Sequence, residues 1–398
     1  MAELSSITLQ CETVTPLFLG GADPRGTPEL RAPKRQSQEV CCTGRKPRGT
    51  PELRAPSLRG ALRYWFRALL AETDLSRLQQ REAAVFGSQN HASPLSIRVS
   101  FAQSPPVRTW DPPRWPPGPA GGGGHVNGLV YLGFAFRPTR GQPARQAIDA
   151  GWRFQVVLSA RHDDVLRQAL AAFWALLHAG GLGSRTRRGF GTIRIVAPSA
   201  VVPSGIPALM STARTPEELA QQLADGLRAA REAVRALDPA APPAYAALAP
   251  GVIEATVLGH VWPSWDAAVA DIGQFLAEHR RLLSPTMREL LATTPSSEYP
   301  RAGFGLPIVY YNLATGQSFT LEATRISRRA SPLWIRPLYL APGQYAVVLW
   351  LSRAPFWPAG SRLQVAGATL HGDVSLNGIE QFIAACTARW SGHGVKVE

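Results

Sequence analysis

The 398-residue chain has little lysine, little cysteine and no long apolar run, and each scarcity narrows its class. Four cysteines, Cys11, Cys41, Cys42 and Cys386, form no C-x-x-C pair and no pattern with histidine at metal-ligand spacing, which argues against structural zinc and a disulfide framework. No stretch offers about 18 uninterrupted apolar residues, and Met1 to Gln10 lacks a basic segment followed by an apolar run. These features predict a cytoplasmic protein that makes no use of a membrane. The eight histidines stand in no H-E-x-x-H, H-x-H or nucleophile-elbow context, and neither a P-loop nor a dinucleotide fingerprint is present. We therefore expect no catalytic residue, no metal, no cofactor and no small-molecule substrate. His178 reads as a packed or capping residue of a helix, and Asp23, in a glycine loop, as a carboxylate that stabilises a turn.

Acidic residues are also few: 28 Asp and Glu against 42 Lys and Arg, for a formal net charge of +14. Such a balance favours a polyanionic partner, because phosphate binding releases condensed counterions. Lysine occurs only at Lys34, Lys46 and Lys396, so the positive charge is almost all arginine. Charge alone nominates nucleic acid; motifs have to support it.

Hydrophobic residues make up 45% of the chain, enough for one large core or two ordinary ones. Strand-like alternation over Ile7 to Thr15, a helical run over Leu58 to Ala71 with Ser57 as N-cap, and strands at Pro94 to Phe101, Gly128 to Phe136 and Trp152 to Ala160 open the sequence. A helix capped by Asp163 or Asp164 then runs to about Ala179, and Phe190 to Val196 returns as a strand. Residues 1–200 thus hold the elements of a β-α-β-β-α-β ferredoxin-like unit with an insertion. A helix over Thr215 to Leu237, with Pro216 in its first turn, and a proline-rich stretch place a helical linker at 201–250. The remainder, 251–398, supplies the parts of a second such unit: strands at Val252 to Leu258, Leu306 to Asn312, Leu333 to Leu340 and Tyr345 to Leu351, and helices over Trp265 to Arg281 and Ile379 to Trp390. The predicted fold class is α+β, with two ferredoxin-like domains and long loop insertions. One such insertion is marked by PRGTPELRAP, which occurs at Pro24 to Pro33 and again at Pro47 to Pro56.

The most informative motif is GGLGSRTRRGFG at Gly180 to Gly191, between a helix and a strand. Glycines allow backbone N–H groups close to a phosphate, and guanidinium groups add charge and paired donors. Gly181, Gly183, Ser184, Arg185, Arg187, Arg188, Gly189 and Phe190 are accordingly candidate RNA contacts. A second motif runs from Glu52 to Arg67, in which Arg59, Arg63 and Arg67 recur at every fourth residue and share a helical face, with Arg54 just upstream. The alternative for this stripe is a solvated basic face. Arg328 and Arg329, in RRASP, either clamp phosphates or keep a loop soluble. Phe86, in AAVFGS, reads as a core anchor.

Taken together, TPLFLGGAD at Thr15 to Asp23, the Glu52 to Arg67 run, VFGS at Val85 to Ser88 and the Gly180 to Gly191 loop resemble the RAMP superfamily of CRISPR proteins, in its Cmr, type III-B branch. FGLP at Phe304 to Pro307 and ASPL at Ala330 to Leu333 extend the resemblance into the second half. The resemblance implies two ferredoxin-like, RRM-related domains in a ribonucleoprotein with other Cmr RAMP subunits. It also implies contact with guide RNA and target RNA near the guide's 3′ end, capture of target in antiviral defence, and no nuclease activity. Two other classes compete with it: a RAMP endoribonuclease that processes guide precursors with a histidine base, and an adaptor that docks a protein on its basic surface. The duplicated loop is longer than the family pattern, which bears on any role for Asp23 or Arg31.

Overall fold

Inward-facing Ile7, Leu9 and Cys11 alternate with more exposed neighbours along Ser5–Thr13, the strand β1, around which the first sheet assembles. The computed structural model describes residues 4–20, 50–110, 127–138, 143–199, 204–239, 241–283, 298–311, 318–365, 368–370 and 373–397. The duplicated segment, apart from its second end, lies outside them, as do Asp23, Arg31 and Trp115. After β1 come α1 (Ala55–Leu70), α2 (Leu75–Phe86), β2 (Leu95–Ser100), β3 (Val107–Thr109), α3 (Gly128–Leu132), β4 (Gln146–Ile148), β5 (Arg153–Ala160), α4 (Asp163–His178) and β6 (Ile193–Ser199). The sheet order is β2-β5-β1-β6, with all pairs antiparallel. Setting the short β3–β4 pair aside, this is the β-α-β-β-α-β ferredoxin-like arrangement.

The second half continues with α5 (Pro216–Ala233), β7 (Ile253–Val257), α6 (Trp265–Leu282), β8 (Ile308–Tyr311), β9 (Ser318–Ala323), β10 (Leu333–Ala341), β11 (Gln344–Ser352), β12 (Leu363–Val365), β13 (Ala368–Thr369), α7 (Asn377–Trp390) and β14 (His393–Val395). Its main sheet, β10-β11-β7-β14, repeats the order of the first. The insertions before β10 and after β11 join in a sheet of their own, β13-β12-β9-β8, over a small core that includes Tyr299, Leu306, Leu321 and Leu363.

Strands β10 and β11 are buried on both faces, which is why they read as nearly continuous apolar runs. Leu333, Ile335, Val347 and Leu349 face the core beneath α6 and α7, whereas Trp334, Leu338, Val348 and Trp350 join the core of the first sheet. The Trp65 and Trp334 rings meet edge to face at 5.5 Å, so α1 and β10 touch across this junction.

Several expectations need correction. Gly128 to Phe136 is a short helix and a 3₁₀ turn, not a strand. Asn127 Oδ1 accepts hydrogen bonds from the N–H groups of Leu129 and Val130, and Gly128 lies so close to α6 that a Cβ there would sit 1.9 Å from the Ala270 carbonyl oxygen. Ser57 does not cap α1: Arg54 occupies the N-cap without a side-chain bond, and Pro56 stands in the first turn. Likewise His162 is at the N-cap of α4, and Asp163 and Asp164 lie in its first turn, at the positive end of the helix. Thr215, by contrast, caps α5 through a bond from the Glu218 N–H, with Pro216 in the first turn.

Candidate nucleic-acid interface

The Gly180 to Gly191 segment leaves α4 and is fastened from two sides before β6 begins. Ser184 N–H donates to the Phe18 carbonyl at 2.9 Å, Gly191 N–H to the Pro16 carbonyl at 3.1 Å, and Ile335 N–H to the Arg187 carbonyl at 3.2 Å. The loop is therefore wedged between the chain after β1 and strand β10. Two glycines are required by this approach. Gly183 has φ +87°, and a Cβ on it would lie 2.6 Å from the Phe18 oxygen; Gly191 has φ +77°, and a Cβ would lie 2.2 Å from the Leu182 oxygen. Gly181 and Gly189 are also hemmed in, by the Gly191 oxygen and by Val269. The glycines let the loop press against its own protein, while Gly183 stays exposed.

Phe190, expected among ligand contacts, is fully buried. Its ring meets Phe18, Trp110 and Phe136 at 5.6, 5.4 and 5.2 Å, so it anchors the loop from below. Ser184 is tied to Arg145, whose Nη1 donates to the serine hydroxyl at 3.2 Å.

Among the described residues the three loop arginines hydrogen-bond only to neutral groups. Arg185 donates to the Leu132 carbonyl at 3.3 Å, Arg187 to the Ser331 carbonyl at 2.7 Å and the Tyr64 hydroxyl at 3.3 Å, and Arg188 to the Phe304 carbonyl at 3.4 Å. Arg187 also lies 5.2 Å from the centre of the Trp334 ring, within cation–π range. Arg328 is exposed and close enough to Arg185 to repel it, and Arg329 donates to the Pro355 carbonyl and stands beside Arg187. Among the described residues none of these five forms an ion pair.

Burial and mutual repulsion show in their acidity. Burial pushes the Arg188 guanidinium down to about 9, with Arg280, Arg185 and Arg187 adding repulsion. Arg185 is lowered by burial and then by Arg328, and Arg329 by burial and then by Arg187. Beneath the loop, Arg336 of β10 is completely buried and likewise pushed down to about 9, by burial alone. Its Nη1 donates weakly to the Thr186 and Phe190 carbonyls, while Nε and Nη2 have no hydrogen-bond partner among the described residues. Cations crowded together without acids form a site short of negative charge.

The α1 arginines have other work. Arg63 and Arg67 both bond to the nearly buried Glu82 of α2, at 2.5 and 2.7 Å. Arg59 donates to the carbonyls of Phe86 and Leu95, tying α1 to the end of α2 and the start of β2, and Arg54 pairs loosely with Glu52 at 3.8 Å. Helical spacing placed the stripe on one face; α2, which the sequence reading passed over, turns that face inwards. Phe86 is a core residue, edge-on to Phe66. His178 is buried against Trp174 and pushed down to about 4 by burial and by Arg336, which makes it a packed, neutral residue. Sequence reasoning missed Tyr131 of α3 and Arg280 of α6, which meet the loop only in three dimensions, and Arg301 in the turn before β8, which stands beside them.

The profile of the RAMP superfamily matches residues 10–194. The CRISPR system Cmr subunit Cmr1-1 of Pyrococcus furiosus is 27% identical over 309 residues, which covers 76% of this chain and 81% of that protein. Cmr1-2 of the same organism is 26% identical over 200 residues, 46% of this chain and 91% of that protein. The crystal structure of apo Cmr1 from P. furiosus superposes with a TM-score of 0.61 at 22% identity, covering 98% of both chains. A chain of the type III-B Cmr-beta assembly bound to cognate target RNA superposes with a TM-score of 0.53 at 12% identity, covering 97% of this chain and 99% of that one. The match to the RAMP superfamily thus covers the first of the chain's two antiparallel-sheet domains. Similarity to Cmr1 of P. furiosus extends across both domains. No helix of the described residues is long and apolar enough to cross a membrane.

Proposed function

We propose that this protein is a non-catalytic RNA-binding subunit of a type III-B Cmr ribonucleoprotein, acting in the cytoplasm. In this reading it sits with other Cmr RAMP subunits near the 3′ end of the guide RNA and helps to capture target RNA. The observation that carries it is the cluster of Arg185, Arg187 and Arg188 on a rigid loop, none of them paired with a carboxylate among the described residues. Arg328 and Arg329 extend the cluster, while Arg54, Arg59, Arg63 and Arg67 hold α1 and α2 in place behind it. Relatives named as Cmr subunits, and a chain of like fold in an assembly bound to cognate target RNA, support the assignment. We take 1–200 and 251–398 as the two RAMP domains, with 201–250 as the helical linker.

The test is affinity purification of the tagged protein from cells that express it with its companion Cmr subunits. Guide-sized RNA and the other subunits are expected to co-purify with the wild type. The Arg185, Arg187 and Arg188 triple alanine variant should recover less RNA. Recovery of the subunits with undiminished RNA in the variant would take the loop out of the interface.

A further inference from the structure

On one side of the loop opens a cleft of about 380 Å³, lined by Tyr131, Leu132, Phe134, Arg185, Arg188 and Arg280. That volume lies at the small end of the roughly 300–1,000 Å³ usual for small-molecule sites. The lining is divided by chemistry: three guanidinium groups form one part, aromatic rings the other, and no carboxylate is among them. Phe134 is 59% exposed, an unusual state for a phenylalanine, whereas its neighbour Phe136 is fully buried. Arg280 Nη1 donates to the Tyr131 hydroxyl at 2.7 Å, which orients both side chains. Among the described residues Arg185 makes a single hydrogen bond, and Arg188 Nη1, shut off from solvent, makes none. Guanidinium groups and an aromatic surface thus border the same small space.

On the other side of the loop lies a second recess, about 250 Å³, bordered by Tyr64, Trp65, Arg187 and Trp334. Two recesses of like make-up, flanking one arginine ridge, suit a polymer with a repeating phosphate and base better than a free small anion.

We propose that the cleft of Tyr131, Phe134, Arg185 and Arg188 is a one-nucleotide subsite for single-stranded RNA, with the phosphate on the arginines and the base on Phe134. The inference rests on the RNA-binding reading above and adds to it which aromatic residue stacks. Because every base has a π-face, such a contact strengthens binding without selecting sequence.

The experiment measures the affinity of the full-length protein for a labelled single-stranded oligoribonucleotide across a salt series. Phe134→Ala and Phe134→Leu should each weaken binding by at least about fivefold, the lower end of what loss of base–aromatic stacking costs. The slope of log affinity against log salt should match the wild type, since no phosphate contact is removed. Phe134→Tyr should keep wild-type affinity. The thermal midpoints should be close to wild type, because Phe134 lies outside the core. Unchanged affinity in both Phe134→Ala and Phe134→Leu, while the triple arginine variant still flattens the slope, would overturn the subsite and leave the RNA interface standing. No effect from either set of variants would overturn both. A nucleoside monophosphate that binds as tightly as the oligonucleotide would overturn the polymer assignment.

Discussion

Replacing Arg185, Arg187 and Arg188 together by alanine is expected to lower the slope of log affinity against log salt for single-stranded RNA by about 2. Each phosphate neutralised on a single strand adds roughly 0.7 to that slope, and three guanidinium groups on one loop neutralise three. The fold should survive. The three side chains donate to carbonyl and hydroxyl groups, charge-assisted contacts worth about 1.5–3 kcal/mol each, a loss offset in part by relief of repulsion within a crowded set of cations. Anchorage of the loop is left to backbone bonds and to buried Phe190, which the variant keeps. A slope equal to the wild type, measured on protein with an unchanged thermal midpoint, would mean that these arginines do not meet phosphate.

Arg336→Met is expected to act in two opposite ways. Completely buried, with no ion pair among the described residues and two of its nitrogens without partners, Arg336 is a desolvated charge that the isolated protein holds at a cost. Methionine is of similar length, is apolar and repacks easily, so the variant should be more stable by about 1–4 kcal/mol, as found where buried ionic groups give way to apolar ones. The pH dependence has a definite sign. Burial pushes the folded-state value down to about 9, well below that of the free guanidinium, so the unfolded chain binds more protons above about pH 9 and wild-type stability rises with pH there. The advantage of the methionine variant should be full below pH 9 and shrink above it. RNA affinity should fall in the same variant, because Arg336 supports the loop through the Thr186 and Phe190 carbonyls and adds positive potential beneath it. Chemical denaturation across pH, paired with RNA titration, checks both. A variant that is less stable and binds RNA as well as the wild type would show Arg336 to be an ordinary structural residue.

Much of the architecture could be read from the sequence because the strands of both main sheets carry their burial in their composition. Alternation in β1 and β5 marks sheets with one covered face, and the apolar runs of β10 and β11, interrupted in β10 by Arg336, mark strands covered on both. Gly128 to Phe136 misled for a physical reason: five helical residues are too few to show a 3.6-residue period, and the cap at Asn127 and the close approach of Gly128 to α6 decide the matter. The third sheet was illegible because β12 and β13 have only 3 and 2 residues and β12 pairs with β9, some forty residues earlier. For the interface, the glycine-arginine motif announced the loop itself. Position along a helix could not say that Arg63 and Arg67 would be claimed by Glu82, nor could local sequence reveal that Tyr131, Phe134 and Arg280 would stand beside Arg185.

Photo-crosslinking of RNA to the protein within the reconstituted assembly, followed by mapping of the crosslinked peptides, tests the loop-centred interface most directly. Crosslinks concentrated in residues 180–191 and 128–138 are expected. Crosslinks confined to other surfaces, such as α5 or the β13-β12-β9-β8 sheet, would show that RNA passes elsewhere and that the arginine loop serves another partner.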